Sequence, residues 1–507
     1  MRTLADTGEQ VIVFMATRRE AVRFASELAS ELGRPAAATI AALSGRGHGR
    51  LVEELLRCLK GGVAFHISDL GEDARLAVER AFRFHDSEIR VIVATTTLSQ
   101  GLNLAADAVV IHRLRHPGEP ERPYTVAEYR NMAGRAGRTG IAPRGRSIVI
   151  AHGPVDAEQK WSNYVTAVPE PVRSPLTGHD LRSLILFSFA GPVSDLNTVS
   201  EAHVNAFLTW TFAAYLNDVG LSVRSFSPGR ISSAMAGLVG EGLIEKVDGG
   251  YVLTALGKVA LRSGLSVDSV IVIAEALRAV EATQLNRTTL IAAAHLTEEL
   301  QDMRFSLPTG HWRKEWQTLQ QSLRLQKIAE PLLDRLLGDY EPQSLGAVRA
   351  RRSLACLRWS RGVVLPMIER ELVQHQFVEV TSTGPVEQAA RRTSDVIEAV
   401  IDIALVVHRG ADLGALPEIL PAQLELGVPA GLVPVLRHLH RRLDREACLD
   451  LARDGFDTAR AILDAHERDL LAHVDDPDLV TALLAAAEKA DKPDDADEPF
   501  DFPPPVD

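Results

Sequence analysis

The stretch Val91-Ile-Val-Ala-Thr-Thr-Thr-Leu-Ser-Gln-Gly-Leu-Asn-Leu104 decides the fold that we predict for this chain. It begins within an apolar run, residues 89–94, whose length and β-branched side chains are typical of a strand buried in a sheet. Three threonines and then Gly101 follow, so we expect a loop of small polar residues directly after the strand. In an open parallel sheet, ligands bind where such loops leave the carboxyl ends of the strands.

Strand and helix patterns alternate on both sides of this stretch. Predicted strands lie at residues 10–15, 63–67, 89–95, 108–112 and 147–151, and predicted helices lie between them at 18–32, 50–59, 72–84 and 126–133. Alternation with short connections indicates a parallel, doubly wound α/β sheet.

A second segment, Tyr129-Arg-Asn-Met-Ala-Gly-Arg-Ala-Gly-Arg138, places two arginines beside two glycines. Gly134 and Gly137 have no Cβ and therefore allow the backbone to come close to a ligand. Arg135 and Arg138 carry planar, permanently charged forks that suit phosphate oxygens, and such arginines stabilise the charge on a transferring phosphoryl group. Taken alone, the segment is equally compatible with a basic helix start on the surface.

Two further blocks complete the pattern: Gly62-Val-Ala-Phe-His-Ile-Ser-Asp-Leu70 and, first in the chain, Val11-Ile-Val-Phe-Met-Ala-Thr-Arg18. In order and spacing, the four blocks resemble the second motor lobe of a superfamily-two helicase of the superkiller-type and ratchet-type DExH-box group. The resemblance covers residues 1–155 and implies a RecA-like α/β lobe. The chain departs from the group at Ile67, Asp69 and Asn131, where His, Gly and Gln are usual. Asn131 is one methylene shorter than Gln, so its contact with a nucleotide is the one most affected.

The resemblance implies a nucleotide site and a nucleic-acid path. The expected catalytic residues are Arg135 and Arg138, the expected nucleotide-binding residues are Gly101, Asn103, Asn131 and Gly134, and the expected nucleic-acid-binding residues are Thr95, Thr17, Arg18, Arg352 and Trp359. ATP with Mg²⁺ is the implied cofactor. Single-stranded or forked nucleic acid is the implied partner.

The segment between the third and fourth of these blocks in chain order, residues 112–123, leaves two interpretations open. In the ratchet helicases a β-hairpin near this position separates the strands of a duplex. Three prolines in this segment argue against a regular hairpin and favour a plain surface loop. His112 and His116 lack the helical spacing of a metal pair, and we expect both side chains to be exposed.

Beyond the lobe, the chain is predicted to be mostly helical. Residues 156–178 are rich in Pro and Ser and are interpreted as a linker. Residues 179–263 have the pattern of three helices and a two-stranded ribbon, which predicts a winged helix. Its presumed recognition helix carries only one basic residue, Arg230, so a module that packs against the motor lobe is favoured over one that reads a DNA groove.

The remaining sequence resembles the later domains of the same helicase group. Residues 264–410 resemble the helical ratchet bundle, and a dense group of arginines around Trp359 suggests phosphate contacts and base stacking. A solvated face with a core tryptophan is the alternative. Residues 411–475 resemble the helix-hairpin end domain, which favours DNA over RNA. Residues 486–507 are acidic and rich in Ala and Pro, and we expect a disordered tail.

The net charge of −12 does not exclude a nucleic-acid partner, because the charge is unevenly distributed. Residues 1–150 contain 21 Lys and Arg against 17 Asp and Glu, whereas residues 488–507 contain 2 against 8. The first part of the chain is therefore compatible with a basic channel.

Cysteine usage and hydropathy indicate the compartment. Cys58, Cys356 and Cys448 are far apart and form no CxxC motif, a pattern that indicates a reducing compartment and neither a zinc site nor a disulfide framework. The longest apolar helical runs, such as residues 396–407, contain acidic residues and are too short to span a bilayer. The N-terminus has no signal pattern. We expect a cytoplasmic protein without a membrane partner.

Two motifs by which this helicase group hydrolyses ATP are not found in the sequence. The first motor lobe of the group carries a P-loop, GxxxxGK followed by Ser or Thr, and a DExH block that holds Mg²⁺. Because hydrolysis needs both faces of one cleft, we expect this chain alone to be inactive. Our interpretation is the C-terminal half of a helicase, completed by a separate polypeptide that carries the P-loop lobe. The alternatives are a non-enzymatic nucleic-acid-binding or regulatory protein on a helicase scaffold, and a transcription regulator built on the winged helix.

Overall fold

The computed structural model describes the polypeptide over most of its length. The described residues are 4, 8–43, 50–68, 70–83, 87–99, 104–117, 121–137, 145–174, 176, 180–190, 198–219, 226–301, 303, 305, 312–338, 345–372, 385–439, 443–474 and 476–491.

Runs of β-branched residues form a parallel sheet at the start of the chain. The strands are β1 Val11–Phe14, β2 Val63–His66, β3 Val91–Ala94, β4 Ala108–Ile111, β5 Arg115–His116, β6 Arg122–Pro123 and β7 Arg146–Val149. Five of them form one sheet in the order β2-β3-β1-β4-β7, and all four pairings are parallel. Every residue of β1 to β4 is buried, as expected for strands that helices cover on both faces.

Amphipathic helices connect these strands. They are α1 Arg18–Leu32, α2 Ala37–Leu43, α3 Arg50–Leu59, α4 Glu72–Phe82, α5 Val126–Ala133 and α6 Pro154–Lys160. Helix α1 begins where Thr17 caps it in a reciprocal pair with Glu20, and its buried face packs on β2 and β3. Helix α5 packs on β4. The five predicted strands and the four predicted helices of this lobe are confirmed, whereas α2 was missed.

The remainder of the described chain is mostly helical. Its elements are α7 Leu181–Ser188, α8 Glu201–Thr209, α9 Phe212–Asp218, α10 Pro228–Gly240, β8 Ile244–Val247, β9 Gly250–Leu253, α11 Ala255–Ser263, α12 Val267–Arg278, α13 Arg287–Ala294, α14 Trp312–Leu325, α15 Glu330–Leu337, α16 Leu345–Trp359, α17 Leu365–Leu372, α18 Pro385–Val407, α19 Leu416–Leu426, α20 Val433–His438, α21 Arg445–Arg453, α22 Ala459–Leu463, α23 Glu467–Val474 and α24 Pro477–Asp491. The predicted fold class, an α/β lobe followed by mostly helical domains, is confirmed.

The antiparallel ribbon β8–β9 lies among α7, α8, α10 and α11, and Val199 pairs with Tyr251 at its edge. Helices α8 and α9 follow each other closely, separated by two residues. Downstream, the long helix α18 packs against α11, α12, α13, α16 and α19 and forms the centre of the bundle. Helices α20 to α24 enclose a separate apolar cluster that includes Leu436, Leu451 and Leu483.

Two segments differ from the sequence-based expectations for linker and tail. The predicted linker 156–178 begins inside α6, which continues as a π-helical turn, Trp161–Val165, and packs against α5. The predicted disordered tail begins inside α24, where Ala486 and Ala487 are buried in the terminal cluster. In both places a few apolar side chains find a helix to pack on, which composition alone did not reveal. The tail beyond residue 491 lies outside the described residues.

A short hairpin forms where a plain loop was favoured. Strands β5 and β6 pair antiparallel, with Arg115 opposite Pro123 and His116 opposite Arg122. Proline is tolerated because the hairpin has only two strands, so each one is an edge strand. His116 is partly buried rather than exposed, since Glu128 and Tyr124 contact it.

No single helix in the described part of the chain is long and apolar enough to cross a bilayer. The helical segments Leu416–Leu426 and Ala430–His438 meet that criterion only as a pair, and they are bent by 101°.

Candidate active site and strand path

Helix α5 positions the arginine-containing segment. Its first turn is fixed by Thr125 and Glu128: the Thr125 amide donates to Glu128 Oε2 over 2.6 Å, and the Glu128 amide donates to Thr125 Oγ1 over 3.1 Å. This reciprocal capping box satisfies two groups that would otherwise lack partners at the helix start. Tyr129 and Met132 face the core, so Arg130 and Asn131, which lie between them in the sequence, stay at the surface.

A cleft of about 220 Å³ lies at the carboxyl end of α5. Its lining consists of Leu104, Ala105, Arg130, Asn131, Gly134, Arg135 and Gly137. Three predicted site residues, Asn131, Gly134 and Arg135, are therefore brought together in one concave site. Arg138, Gly101 and Asn103 lie outside the described residues. Leu104, Ala105 and Arg130 were not predicted, although Arg130 is next to Asn131 in the same helical turn.

The backbone of this turn is tied to the segment that precedes β4. The Ala106 amide donates to the Arg135 carbonyl over 2.9 Å, and the Gly137 amide donates to the Ala106 carbonyl over 2.8 Å. Gly137 has a φ of +80°, a left-handed conformation that glycine adopts without strain. Gly145 lies against the same turn, where an added Cβ would be 2.1 Å from the Ala136 carbonyl carbon.

The electrostatic character of the cleft is cationic. Arg135 is half-buried, and this burial lowers the pKa of its guanidinium from the ordinary value. Because an arginine pKa is normally above about 12, the side chain remains charged near neutral pH. Among the described residues that line the cleft there is no carboxylate. The donor set therefore fits an anionic group such as a phosphate, and it does not fit Mg²⁺ itself.

Three of the residues predicted to hold a nucleic-acid strand, Thr95, Thr17 and Arg18, lie at the opposite end of the strands from the cleft. Thr95 follows β3 directly and is buried, and Thr17 follows β1, the neighbour of β3. Thr17 Oγ1 is already engaged with Glu20, to which it donates over 3.0 Å. Arg18 is exposed at the start of α1.

Residues 95–105 connect the carboxyl end of β3 to the amino end of β4. Val91 and Ala108 both pair with Val11, so the strands β3 and β4 are level with each other. Thr95 leaves the carboxyl end of β3, whereas Ala105 enters the amino end of β4 beside the cleft. The carboxyl and amino ends of the strands are separated by the length of a four-residue strand, about 13 Å.

The positions of Arg352 and Trp359 contradict the prediction that they contact nucleic acid. Arg352 is fully buried, and its Nη1 donates to the carbonyls of Leu300 and, over 3.0 Å, Met303. Trp359 is 4% exposed, and its Nε1 donates to the Leu424 carbonyl over 2.8 Å. A face of its ring is covered by the guanidinium of Arg445.

The guanidinium carbon of Arg445 lies 3.9 Å from the centroid of the Trp359 ring. A base therefore has no open ring face to stack on. The alternative weighed from the sequence, a core tryptophan, is the one that the structure supports. The error arose because the spacing of arginines around a tryptophan does not reveal which helical face is buried.

Comparison with known proteins shows what the lobe is similar to. Residues 1–140 match the family described as the helicase conserved C-terminal domain. Over 293 residues, the chain is 32% identical to the ATP-dependent DNA helicase Hel308 of Caldivirga maquilingensis, an alignment that covers 54% of this chain and 37% of the relative. Over 272 residues, it is 32% identical to the Hel308 helicase of Pyrobaculum calidifontis, which covers 50% of this chain and 36% of the relative.

The chain thus spans little more than a third of the length of these two relatives. The matches confirm the predicted resemblance to the C-terminal portion of a superfamily-two helicase.

Proposed function

We propose that the chain acts as the C-terminal part of an ATP-dependent DNA helicase, because residues 1–140 match the helicase conserved C-terminal domain and the chain is similar to Hel308 DNA helicases. In this proposal Arg135 and Arg138 are arginine fingers. They complete an ATP site whose P-loop and DExH motifs belong to a lobe on another polypeptide. The observation that carries the proposal is the convergence of Asn131, Gly134 and Arg135 on one cationic cleft.

The residues of this chain would act by positioning and by electrostatics. ATP with Mg²⁺, held mainly by the P-loop lobe, would supply the reacting phosphoryl group. A fixed arginine fork stabilises the charge on that group because it needs no reorganisation during the reaction. The hydrogen bond from Ala106 to the Arg135 carbonyl keeps the backbone of the fork in place. Asn131 is exposed at the rim and would contact the nucleotide.

The same lobe would hold a DNA strand at the carboxyl ends of its β-strands. Thr95 and Arg18 are the candidates for phosphate contacts, and Thr17 would join them only by giving up its bond to Glu20. Gly101 and Asn103, in the segment 95–105, would link those ends to the cleft. Closing of two lobes on ATP would then move the strand in steps.

The test is ATP hydrolysis by the purified chain, measured alone and after mixing with a polypeptide that carries a P-loop and DExH lobe. Single-stranded DNA and RNA of one sequence are compared as activators. We expect no hydrolysis by the chain alone and strong, DNA-stimulated hydrolysis by the mixture. Arg135→Ala and Arg138→Ala should each lower the rate by roughly 10³-fold, the usual size of an arginine-finger effect.

Arg23→Ala is the matched control, because Arg23 is an exposed arginine of the same lobe that does not line the cleft. Strand binding should be within about twofold of wild type in all three variants, since the fingers face the nucleotide. Loss of hydrolysis together with loss of strand binding would show that the arginines are structural. Absence of hydrolysis in every mixture, with strand binding retained, would exclude the proposal in favour of a non-enzymatic scaffold.

A further inference from the structure

Two carboxylates meet the amino end of α5. Besides Glu128, the more distant Glu170 accepts hydrogen bonds from the amides of Val126, over 2.8 Å, and Ala127, over 3.2 Å. Glu170 comes from the segment that follows α6, the segment first interpreted as a linker. Negative charge near the start of a helix is favourable because the free amides there carry partial positive charge.

Glu128 does more than cap the helix, because its two oxygens have different partners. Oε2 accepts from the Thr125 amide and hydroxyl within the capping box. Oε1 lies 2.9 Å from His116 Nε2 and accepts from Arg122 Nη2 over 3.0 Å. His116 is in β5 and Arg122 is in β6, so one carboxylate oxygen binds both strands of the hairpin.

Further contacts close the base of the hairpin over the same helix. The ring of Tyr124 meets His116 edge-on, with 4.4 Å between ring centroids. The Tyr124 amide donates to the Leu114 carbonyl over 3.0 Å. Tyr124 is buried directly before the cap residue Thr125. The hairpin therefore leaves the lobe at a fixed point beside the first turn of α5.

The hydrogen bonds at Glu128 favour its ionised form. Partial burial raises the pKa of this carboxyl, but the bonds from Thr125, His116 and Arg122 outweigh burial and lower the pKa to about 2. The carboxylate is therefore charged at any pH at which the protein would work. Its contact with the hairpin is a charge-assisted one, which is stronger than a neutral hydrogen bond.

The other end of α5 carries Asn131 and leads into Arg135. The helix has eight residues and spans about 12 Å, and Tyr129 fixes it from the side by an edge-on contact with Tyr164, with 5.8 Å between ring centroids. Arg130 Nη2 also donates to the Ala167 carbonyl over 2.7 Å. Helix α5 therefore forms a fixed link between the hairpin and the cleft.

We propose that Glu128 is a positioning residue that braces the β5–β6 hairpin against α5, so that the hairpin and the arginine-containing cleft move as one body. This inference rests on the proposed function for its consequence: a displacement of Arg135 when the nucleotide site closes would be delivered to the hairpin, and through it to a DNA fork. Without the brace, ATP hydrolysis would continue, but the movement of Arg135 would no longer be transmitted to the hairpin.

The chain offers a selective variant and a matched control. In Glu128→Gln, the side-chain carbonyl still accepts in the capping box, which takes Gln as readily as Glu. The amide group then faces the donors of His116 and Arg122 and cannot bind them. Glu170→Gln changes the second carboxylate at the same helix end and leaves the hairpin untouched. Arg122→Met removes one of the two hairpin donors to Glu128 Oε1.

The first experiment is amide hydrogen exchange of the full chain, read at the Tyr124 amide and in peptides covering residues 113–117 and 121–125. We expect exchange there to become at least tenfold faster in Glu128→Gln and in Arg122→Met, and to remain unchanged in Glu170→Gln. Unchanged exchange in Glu128→Gln would overturn the brace. Equal acceleration in Glu170→Gln would also overturn it, because the effect would then come from helix capping alone.

The second experiment uses the active mixture described above and measures base pairs separated per ATP hydrolysed on a forked DNA. We expect this ratio to fall about fivefold or more in Glu128→Gln, with DNA-stimulated hydrolysis close to wild type, and to be unaffected in Glu170→Gln. A parallel fall of both rates would overturn the coupling. If the wild-type mixture does not hydrolyse ATP at all, the proposed function fails, and the exchange experiment still decides whether the brace exists.

Discussion

The amide of Ala106 and the carbonyl of Arg135 are joined by a hydrogen bond of 2.9 Å. This bond ties the start of β4 to the turn after α5, and the return bond from the Gly137 amide makes the contact a parallel bridge. The side chain of Arg135 thus projects into the cleft from a backbone that is fixed on both sides. Such fixing matters for an electrostatic role, because a mobile guanidinium would have to be ordered in each reaction cycle.

Gly145→Ala should destabilise the lobe by about 2 kcal/mol, the usual cost of overpacking a filled site. The reason is steric, since the new Cβ would be 2.1 Å from the Ala136 carbonyl carbon and backbone cannot yield as a side chain can. Urea unfolding measures the effect. Gly153→Ala is the control, because nothing lies within 4 Å of its Cβ position. Equal stability of the two variants would contradict the packing described for this turn.

Glu128 should make the free energy of unfolding depend on pH. Its folded pKa of about 2 is below the ordinary value of 4.5, so its stabilising contribution is fully present above about pH 4.5 and is lost as the pH falls towards 2. The free energy of unfolding, measured in urea at several pH values, should therefore differ most between wild type and Glu128→Gln at neutral pH. The difference should shrink by pH 3. A difference that does not change with pH would mean that the carboxylate is not favoured by the fold.

The strand pattern could be read from the sequence because its signals are local. Each of β1 to β4 is a short, mostly apolar run, and these strands were placed within two residues of their observed ends. The cleft was also partly predictable. Asn131, Gly134 and Arg135 follow one another in a single segment, so the geometry of one helix end brings them together.

The parts that were missed depend on distant contacts. The hairpin β5–β6 contains prolines, and its stability comes from Glu128, which follows in the next helix. The segment after α6 looks like a linker by composition, yet Glu170 and Tyr164 dock it on α5. No periodicity in the sequence records these pairings, because each one joins a single polar or aromatic residue to a partner on another element.

Arg352→Ala should lower stability without changing the affinity of the folded protein for single-stranded DNA. Arg352 is fully buried and satisfies the carbonyls of Leu300 and Met303, so its removal leaves both without that donor. Hydrogen bonds to a charged group contribute up to about 3 kcal/mol, and a loss of this order is expected. Arg358→Ala on the same helix is the control, since its ion pair with Glu371 is partly exposed and surface pairs contribute about 1 kcal/mol or less. A stable Arg352→Ala protein with weakened DNA binding would instead support the sequence-based prediction that Arg352 contacts nucleic acid.

Gly427→Ala should loosen the contact between α16 and the terminal helices. Gly427 has a φ of +68°, and an added Cβ would be 2.4 Å from both Trp359 Cε2 and Arg445 Nε. Arg445 in turn donates from Nε to the Gly427 carbonyl over 2.8 Å and from Nη2 to the Val363 carbonyl over 2.7 Å. The added methyl group would therefore clash with the residue that joins the terminal helices to the segment after α16.

Gly455→Ala is the control that separates backbone strain from overpacking in Gly427→Ala. Gly455 has a φ of +92° and open space around its Cβ position, so its replacement incurs only the backbone strain of about 1–2 kcal/mol. Gly427→Ala should lose about 1–3 kcal/mol more, because it adds overpacking at a buried junction. Urea unfolding compares the two variants, and amide exchange in α21 should rise only in Gly427→Ala. Equal losses in both variants, with α21 still protected, would show that Trp359 and Arg445 can give way and that the junction is not tightly packed.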